Sequence, residues 1–191
     1  MTSADAIRLC TPTPEMEAAA VDFRQEFFQA GESVINGSSL LDQIPSYPDW
    51  LARVQAQACA ATVPPGWVRT DVFFAVREAD QRLVGIIDLR HELNDFLRDF
   101  GHSGFSVRPS ERRQGYATAM LRQLCARAVS LGMPQLQLAA ETSNTASCRT
   151  IVRAGAKPWR TFLHEGREAM VYLIHLPSKH TYGNEYKTTL D

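Results

Sequence analysis

The sequence predicts one α/β domain in which helices cover a mixed sheet, behind a helical and irregular N-terminal part. Three observations carry that expectation. Residues 15–61 place apolar side chains at helical spacing. After Pro65 the chain changes to short runs rich in Val, Ile and Phe. From residue 104 to 163, strand and helix patterns alternate. With 191 residues and 45% hydrophobic content, the chain is long enough for one well-buried core and short for two. The expected parts are 1–65 as a helical, acceptor-side region, 66–176 as the sheet-bearing core and 177–191 as a loose polar tail.

Ile7 to Cys10 reads as a short strand, stopped by Thr11-Pro12-Thr13-Pro14. Met16, Ala19, Ala20, Phe23, Phe27 and Ala30 then mark a helix within 15–32, and Trp50, Leu51, Val54 and Ala58 a second one over 49–61, ended by Pro64-Pro65-Gly66. The turn-rich segment GESVINGSSLLDQIPSYP between them is expected to be a surface loop. Val72–Arg77 and Leu83–Leu89 form a hairpin, and 91–101 a polar connection with Leu93, Phe96, Leu97 and Phe100 embedded in it. A strand over 104–108 stops at Pro109. It is followed by a helix with Ala117, Met120, Leu121, Leu124 and Ala128 on one side and Gly132 as its stop. Leu136–Ala140 is a strand, Asn144 caps a helix that ends at Gly155, and Trp159–Leu163 with Ala169–Leu176 close the sheet.

The net charge of -1, from 20 basic and 21 acidic residues, gives no electrostatic case for binding nucleic acid or an anionic membrane. No apolar run approaches the roughly 20 residues a bilayer span needs, and MTSADAIRL lacks an apolar signal core. Cys10, Cys59, Cys125 and Cys148 lie far apart without a CxxC pair, which favours a reducing cytoplasm and no structural zinc.

The chemistry-bearing stretch is Glu111-Arg112-Arg113-Gln114-Gly115-Tyr116-Ala117 at the mouth of a helix. A helix N-terminus exposes unpaired N–H groups and about half a positive charge, so it attracts anions. Gly115 and Ala117 keep side chains out of the way, while Arg112 and Arg113 add cationic charge. A pyrophosphate suits such a place; an ordinary strand-to-helix turn has the same local sequence. The stretch lacks the GK[ST] of a P-loop and the glycines of a dinucleotide fingerprint.

Val107-Arg108-Pro109-Ser110-Glu111-Arg112-Arg113-Gln114-Gly115-Tyr116-Ala117 resembles the V-x-P-x-x-R-x-x-G-x-G/A signature of the GNAT acetyltransferases. Asn144-Thr145-Ala146-Ser147 with Gly155-Ala156 looks like the second block of that superfamily, and 89–115 resembles a bacterial subset of mostly unassigned substrate. The resemblance covers roughly 70–176. It implies a mostly antiparallel twisted sheet flanked by helices and an N-acetyltransferase using acetyl-CoA, with no metal. The acceptor would be an amine of a small molecule or peptide, and the protein a monomer or homodimer. Carried over, Arg112, Arg113, Gln114, Gly115, Tyr116, Ala117 and Thr118 would hold the pyrophosphate. Phe105, Ser106 and Val107 would run beside the pantetheine arm, with the Val107 N–H at the thioester carbonyl, and Asn144 and Ser147 would reach the same arm. Arg149 and Arg153 are candidates for the 3′-phosphate or a solvated helix end.

An amine with a pKa near 10.4 must lose a proton before it attacks, which costs roughly 4 to 5 kcal/mol at neutral pH. His102 and Glu92 are the candidate general bases, with Asp95 behind them. By alternation His102 shares a face with Gly104 and Ser106; a histidine bonded to backbone at a strand edge reads the same way. Many family members carry a tyrosine seven residues after the asparagine to protonate the leaving thiolate, and that position here is Ile151. Two functions therefore stay open: direct acetyl transfer in a ternary complex, and a non-catalytic acyl-CoA-binding sensor or scaffold.

Overall fold

Sheet pairing divides the chain into two antiparallel units that separate at the middle of the molecule. A computed structural model describes residues 6–178. The expected loose tail, 177–191, lies outside the described residues from position 179 onward. The elements are β1 (Ile7–Cys10), α1 (Glu17–Gln29), α2 (Tyr47–Ala58), β2 (Thr70–Arg77), β3 (Leu83–Arg90) and α3 (Leu97–Phe100). Then come β4 (Phe105–Val107), α4 (Tyr116–Ser130), β5 (Gln135–Glu141), α5 (Thr145–Arg153), β6 (Lys157–His164) and β7 (Arg167–His175). One sheet has the order β1-β2-β3-β4 and the other β5-β7-β6.

Strand β2 explains why two cores exist. Alternation sends Phe73 and Ala75 into a cluster with Met120, Leu121 and Leu124 of α4. Val72, Phe74 and Val76 point the other way, into a cluster with Phe23 and Phe27 of α1 and Trp50 of α2. Covered on both faces, β2 and β3 can be apolar almost throughout. Trp50 stacks on Phe74 at a centroid distance of 5.6 Å and is fully buried.

The segment 31–46 departs from the sequence expectation: it is not a surface loop. Ile35, Ser38 and Leu41 are buried, and the Trp50 indole donates to the Ser38 carbonyl at 2.8 Å. Arg24 of α1 donates to the carbonyls of Leu41, Ile44 and Pro45, satisfying backbone that no ladder serves. Gly37, at φ +76°, lies so close to β4 that a Cβ there would run into the Gly104 carbonyl. The apolar residues are too few and irregularly spaced to show a period, so burial was invisible in the pattern.

At the junction of the sheets, Arg90 N donates to His102 O at 2.8 Å and His102 N to Gln137 O at 2.7 Å. Gly101 bridges to Leu138. Beyond this stitch β4 and β5 diverge, and a cleft opens between them.

Candidate active site

Ladder bonds from Asp88 N to Gly104 O and from Arg108 N to Val84 O set the alternation of β4 against β3. Even-numbered peptide groups face β3, so the N–H groups of Phe105 and Val107 face away from it. The Val107 carbonyl points the same way and accepts from Arg112 Nε at 3.2 Å. The cleft has a volume of about 510 Å³; Phe105, Ala139, Ala140, Glu141, Asn144 and Ser147 are among its walls. Asn144 is the N-cap of α5, its side-chain oxygen accepting from Ser147 N at 3.1 Å.

The start of α4 is built for an approach of something other than side chain. Gly115 is its N-cap at φ 87° and offers no capping side chain, and the first turn carries no acidic residue. Arg113 also adopts a left-handed conformation, φ 64°, costly for a non-glycine residue and typical of ligand clamps. The side chains around the turn are committed elsewhere. Arg112 forks onto Glu32 at 2.6 and 2.7 Å, which holds the Glu32 carboxyl below its usual range. Gln114 donates to Glu111 at 3.0 Å, and the Tyr116 hydroxyl is buried beside Arg77 at 3.1 Å. Arg108, 2% exposed, bonds Asp22 and Glu26 at 2.8 Å each and ties the preceding turn to α1.

A second cavity, about 390 Å³, lies between segment 34–43, Gln57, 66–70 and 88–97. Asn36, Gly37, Arg90, Phe96 and Leu97 line both cavities, so the two meet there. The wall of the second cavity includes Asp88, 3% exposed. Its carboxylate accepts from Gly104 N at 2.5 Å and pairs with Arg90 at 3.0 Å, and Arg90 also donates to the Gly101 carbonyl. Burial pushes the Asp88 carboxyl above the ordinary carboxylate range, against the opposite pull of Arg90 and the Gly104 N–H.

Of the residues singled out in the sequence, Phe105, Asn144 and Ser147 meet at the cleft, and Gly115 with its neighbours forms the helix mouth. Ser106 turns its hydroxyl away, donating to the Asn36 carbonyl at 3.0 Å. His102 lines neither cavity; its Nδ1 accepts from Gln137 N at 2.9 Å, which fixes the neutral ring proton on Nε2. Burial, and after it the Arg90 charge, holds the His102 pKa below the usual imidazole value. Glu92 is exposed and lines neither cavity. Ile151 is buried in the core, Arg149 and Arg153 are exposed, and Tyr172 is buried with its pKa pushed up to about 12, first by burial and then by Cys148. Asp88 and Gln57 escaped the sequence reading. Each had a signal: a carboxylate inside an apolar strand run, and an amide on the apolar face of a helix.

Among the described residues no group of three or more His, Cys, Asp or Glu is placed to hold a metal, and no helix is long and apolar enough to cross a membrane. A search of curated protein sequences finds no match. Solved structures match at low identity. RimJ from Mycobacterium smegmatis, in complex with CoA-disulfide, is 18% identical over 97% of this chain and 91% of its own, with a TM-score of 0.69. The yncA structure from Salmonella typhimurium, with acetyl-CoA, is 15% identical over 90% of this chain and 95% of its own, with a TM-score of 0.63. A chimera of spermidine N-acetyltransferase SpeG from Vibrio cholerae and hSSAT is 12% identical over 94% and 99%, with a TM-score of 0.62. These likenesses give the fold. Residues 9–157 match the family profile described as Acetyltransferase (GNAT) domain, and with that span matched the chain belongs to the GNAT acetyltransferase family.

Proposed function

We propose that the protein transfers the acetyl group of acetyl-CoA to a primary amine of a small molecule or peptide by direct attack in a ternary complex. The observation that carries the reading is the meeting of two cavities at Arg90 and Asn36-Gly37, one beside the outward N–H groups of β4 and one beside a buried carboxylate. Two of the structures named above hold CoA-disulfide or acetyl-CoA, which supports the same guest here. The residues fit it. The start of α4, with glycine at the cap and no acid in its first turn, suits a pyrophosphate. In this reading Arg113, Gln114, Gly115, Tyr116, Ala117 and Thr118 supply backbone N–H groups there, while Arg112 shapes the turn through Glu32.

Bound acetyl-CoA supplies the activated acyl carbon; the chain holds and polarises it. The Val107 N–H is offered to the thioester oxygen, where one such bond in a dry site is worth about 3 kcal/mol, and the Phe105 N–H faces the pantetheine arm. Asn144 and Ser147 flank the pantetheine arm. The amine approaches from the second cavity, and Asp88, whose carboxylate burial makes a stronger base than usual, takes its proton. His102 and Glu92 are the bases the sequence suggests; Asp88 has the better geometry because it alone of the three lines the acceptor cavity. Both cavities come from one chain, so a monomer or homodimer suffices. A cytoplasmic setting suits four cysteines that are all free.

The second reading, a CoA-binding sensor or scaffold, draws on Ile151, a buried core residue at the position where the family resemblance implies a tyrosine acid. Thiol release with a panel of primary amines at millimolar concentration separates the two. Amine-dependent release establishes transfer. Tight coenzyme binding without release across the panel establishes the sensor.

A further inference from the structure

The acceptor cavity is lined by a buried polar group whose oxygen is unmet and which the transfer step does not use. Gln57, on the inner face of α2, is 1% exposed, lines the cavity, and has no hydrogen-bond partner for Oε1 among the described residues. Leaving a buried amide oxygen unmet is destabilising, and the neighbouring inward positions Trp50, Leu51 and Val54 are apolar. A leucine at position 57 would fit the helix better than the glutamine does. The amide is therefore placed for something that enters the cavity.

Other walls describe that guest. The charged lining is Asp42 and Asp88 against Arg90, two carboxylates to one guanidinium, which disfavours an anionic body. Asp42 also accepts from the Ser38 hydroxyl at 3.0 Å. Trp67 and Phe96 line the same cavity; Arg53 covers one face of Trp67 at 4.3 Å and Phe96 packs on Phe100 at 5.2 Å, but at 47% and 72% exposed both keep aromatic surface to cover a flat apolar group.

Resting on the transferase reading above, we propose that Gln57 determines acceptor specificity. Its Oε1 takes a hydrogen bond from a second N–H or O–H of the acceptor, apart from the reacting amine. The acceptor carries no carboxylate, and its apolar body lies against Trp67 and Phe96. The class is that of an amine on an uncharged, ring-bearing body with one further donor.

Three probes test this on the full chain by steady-state thiol release: phenylalaninamide, phenethylamine, which lacks the second donor, and phenylalanine, which bears a carboxylate. In the native protein, phenylalaninamide should have a KM about tenfold below phenethylamine, the size of one good neutral hydrogen bond, with phenylalanine the poorest. In Gln57→Leu the KM for phenylalaninamide should rise about tenfold to meet phenethylamine. Its kcat and melting temperature should not fall, and the acetyl-CoA KM should not rise. Gln57→Met serves as a second apolar variant if the leucine folds poorly. A gap that survives both variants overturns the proposal, as does an equal loss for all three probes. Calorimetry of phenylalaninamide with coenzyme A present separates the two claims. Gln57-dependent binding without turnover keeps Gln57 and sinks the transferase; turnover indifferent to Gln57 does the reverse. No binding and no turnover overturns the Gln57 assignment.

Discussion

In the proposed assignment, the coenzyme side of the site is made of backbone and the acceptor side of side chains. On the first side a three-residue strand, a left-handed arginine and a cap glycine present peptide groups, while the nearby side chains of Arg112, Gln114 and Tyr116 are spent on internal bonds. On the second side, Asp88, Arg90, Gln57, Trp67 and Phe96 come from four separate segments and supply the chemistry. A backbone-built site demands glycine, proline and small residues at fixed spacing, so it leaves a motif. A side-chain-built site demands only that scattered residues converge, so it leaves none.

The comparison can be broken at its backbone half first. Gly115→Glu puts a carboxylate into the helix mouth at a positive φ, combining blockage with repulsion. Acetyl-CoA affinity measured by calorimetry should fall at least about a hundredfold. Unchanged affinity would remove the helix start from the coenzyme site.

The side-chain half breaks at Asp88. Asp88→Asn keeps the size and should lower kcat by roughly 10² to 10⁴, the range of general base catalysis. The pH profile sharpens the test. The raised carboxyl pKa means the group is a competent base only above that value, so the acid limb of kcat should lie above the usual carboxylate range. The limb should vanish in Asp88→Asn and persist in His102→Asn. A limb that follows His102 instead would return the base to the sequence's candidate.

The two halves touch at Gly37 and Gly104. Gly37→Ala should force the loop off β4, at a cost of about 3 kcal/mol from the left-handed backbone and the clash. Its melting temperature should fall by roughly 10 °C, and both coenzyme and acceptor kinetics should worsen together. The smallest effect belongs to Arg112→Ala. Its ion pair with Glu32 is about two-fifths exposed on both sides and worth less than about 1 kcal/mol. Coenzyme affinity should drop only a few-fold in titration; a hundredfold loss would give Arg112 a direct phosphate contact.

Legibility in the sequence follows the same division. β1 was readable to the residue because Thr-Pro-Thr-Pro ends it, and the cap at Asn144 because its side chain has one evident use. The helix mouth was readable because Gly115 stands directly before the periodic apolar run Ala117, Met120, Leu121 and Leu124. Segment 31–46 was not, since it is fixed by Arg24 reaching three carbonyls and by two glycines in backbone contact, neither of which has a period. Asp88 was passed over because the strand around it reads as apolar, Val84-Gly85-Ile86-Ile87 before it and Leu89 after. Only the burial of both faces turns that carboxylate into an anomaly. The four-residue helix α3 is too short to carry a pattern of its own.

The division of labour is tested most directly by one crossed measurement: coenzyme affinity and single-turnover acetyl transfer in the native protein, Gly115→Glu and Asp88→Asn. Gly115→Glu should lose affinity. Asp88→Asn should bind acetyl-CoA within about twofold of the native protein while its transfer rate at saturating coenzyme collapses. An Asp88→Asn protein that loses affinity and rate in the same proportion, or that transfers at the native rate, would contradict the account.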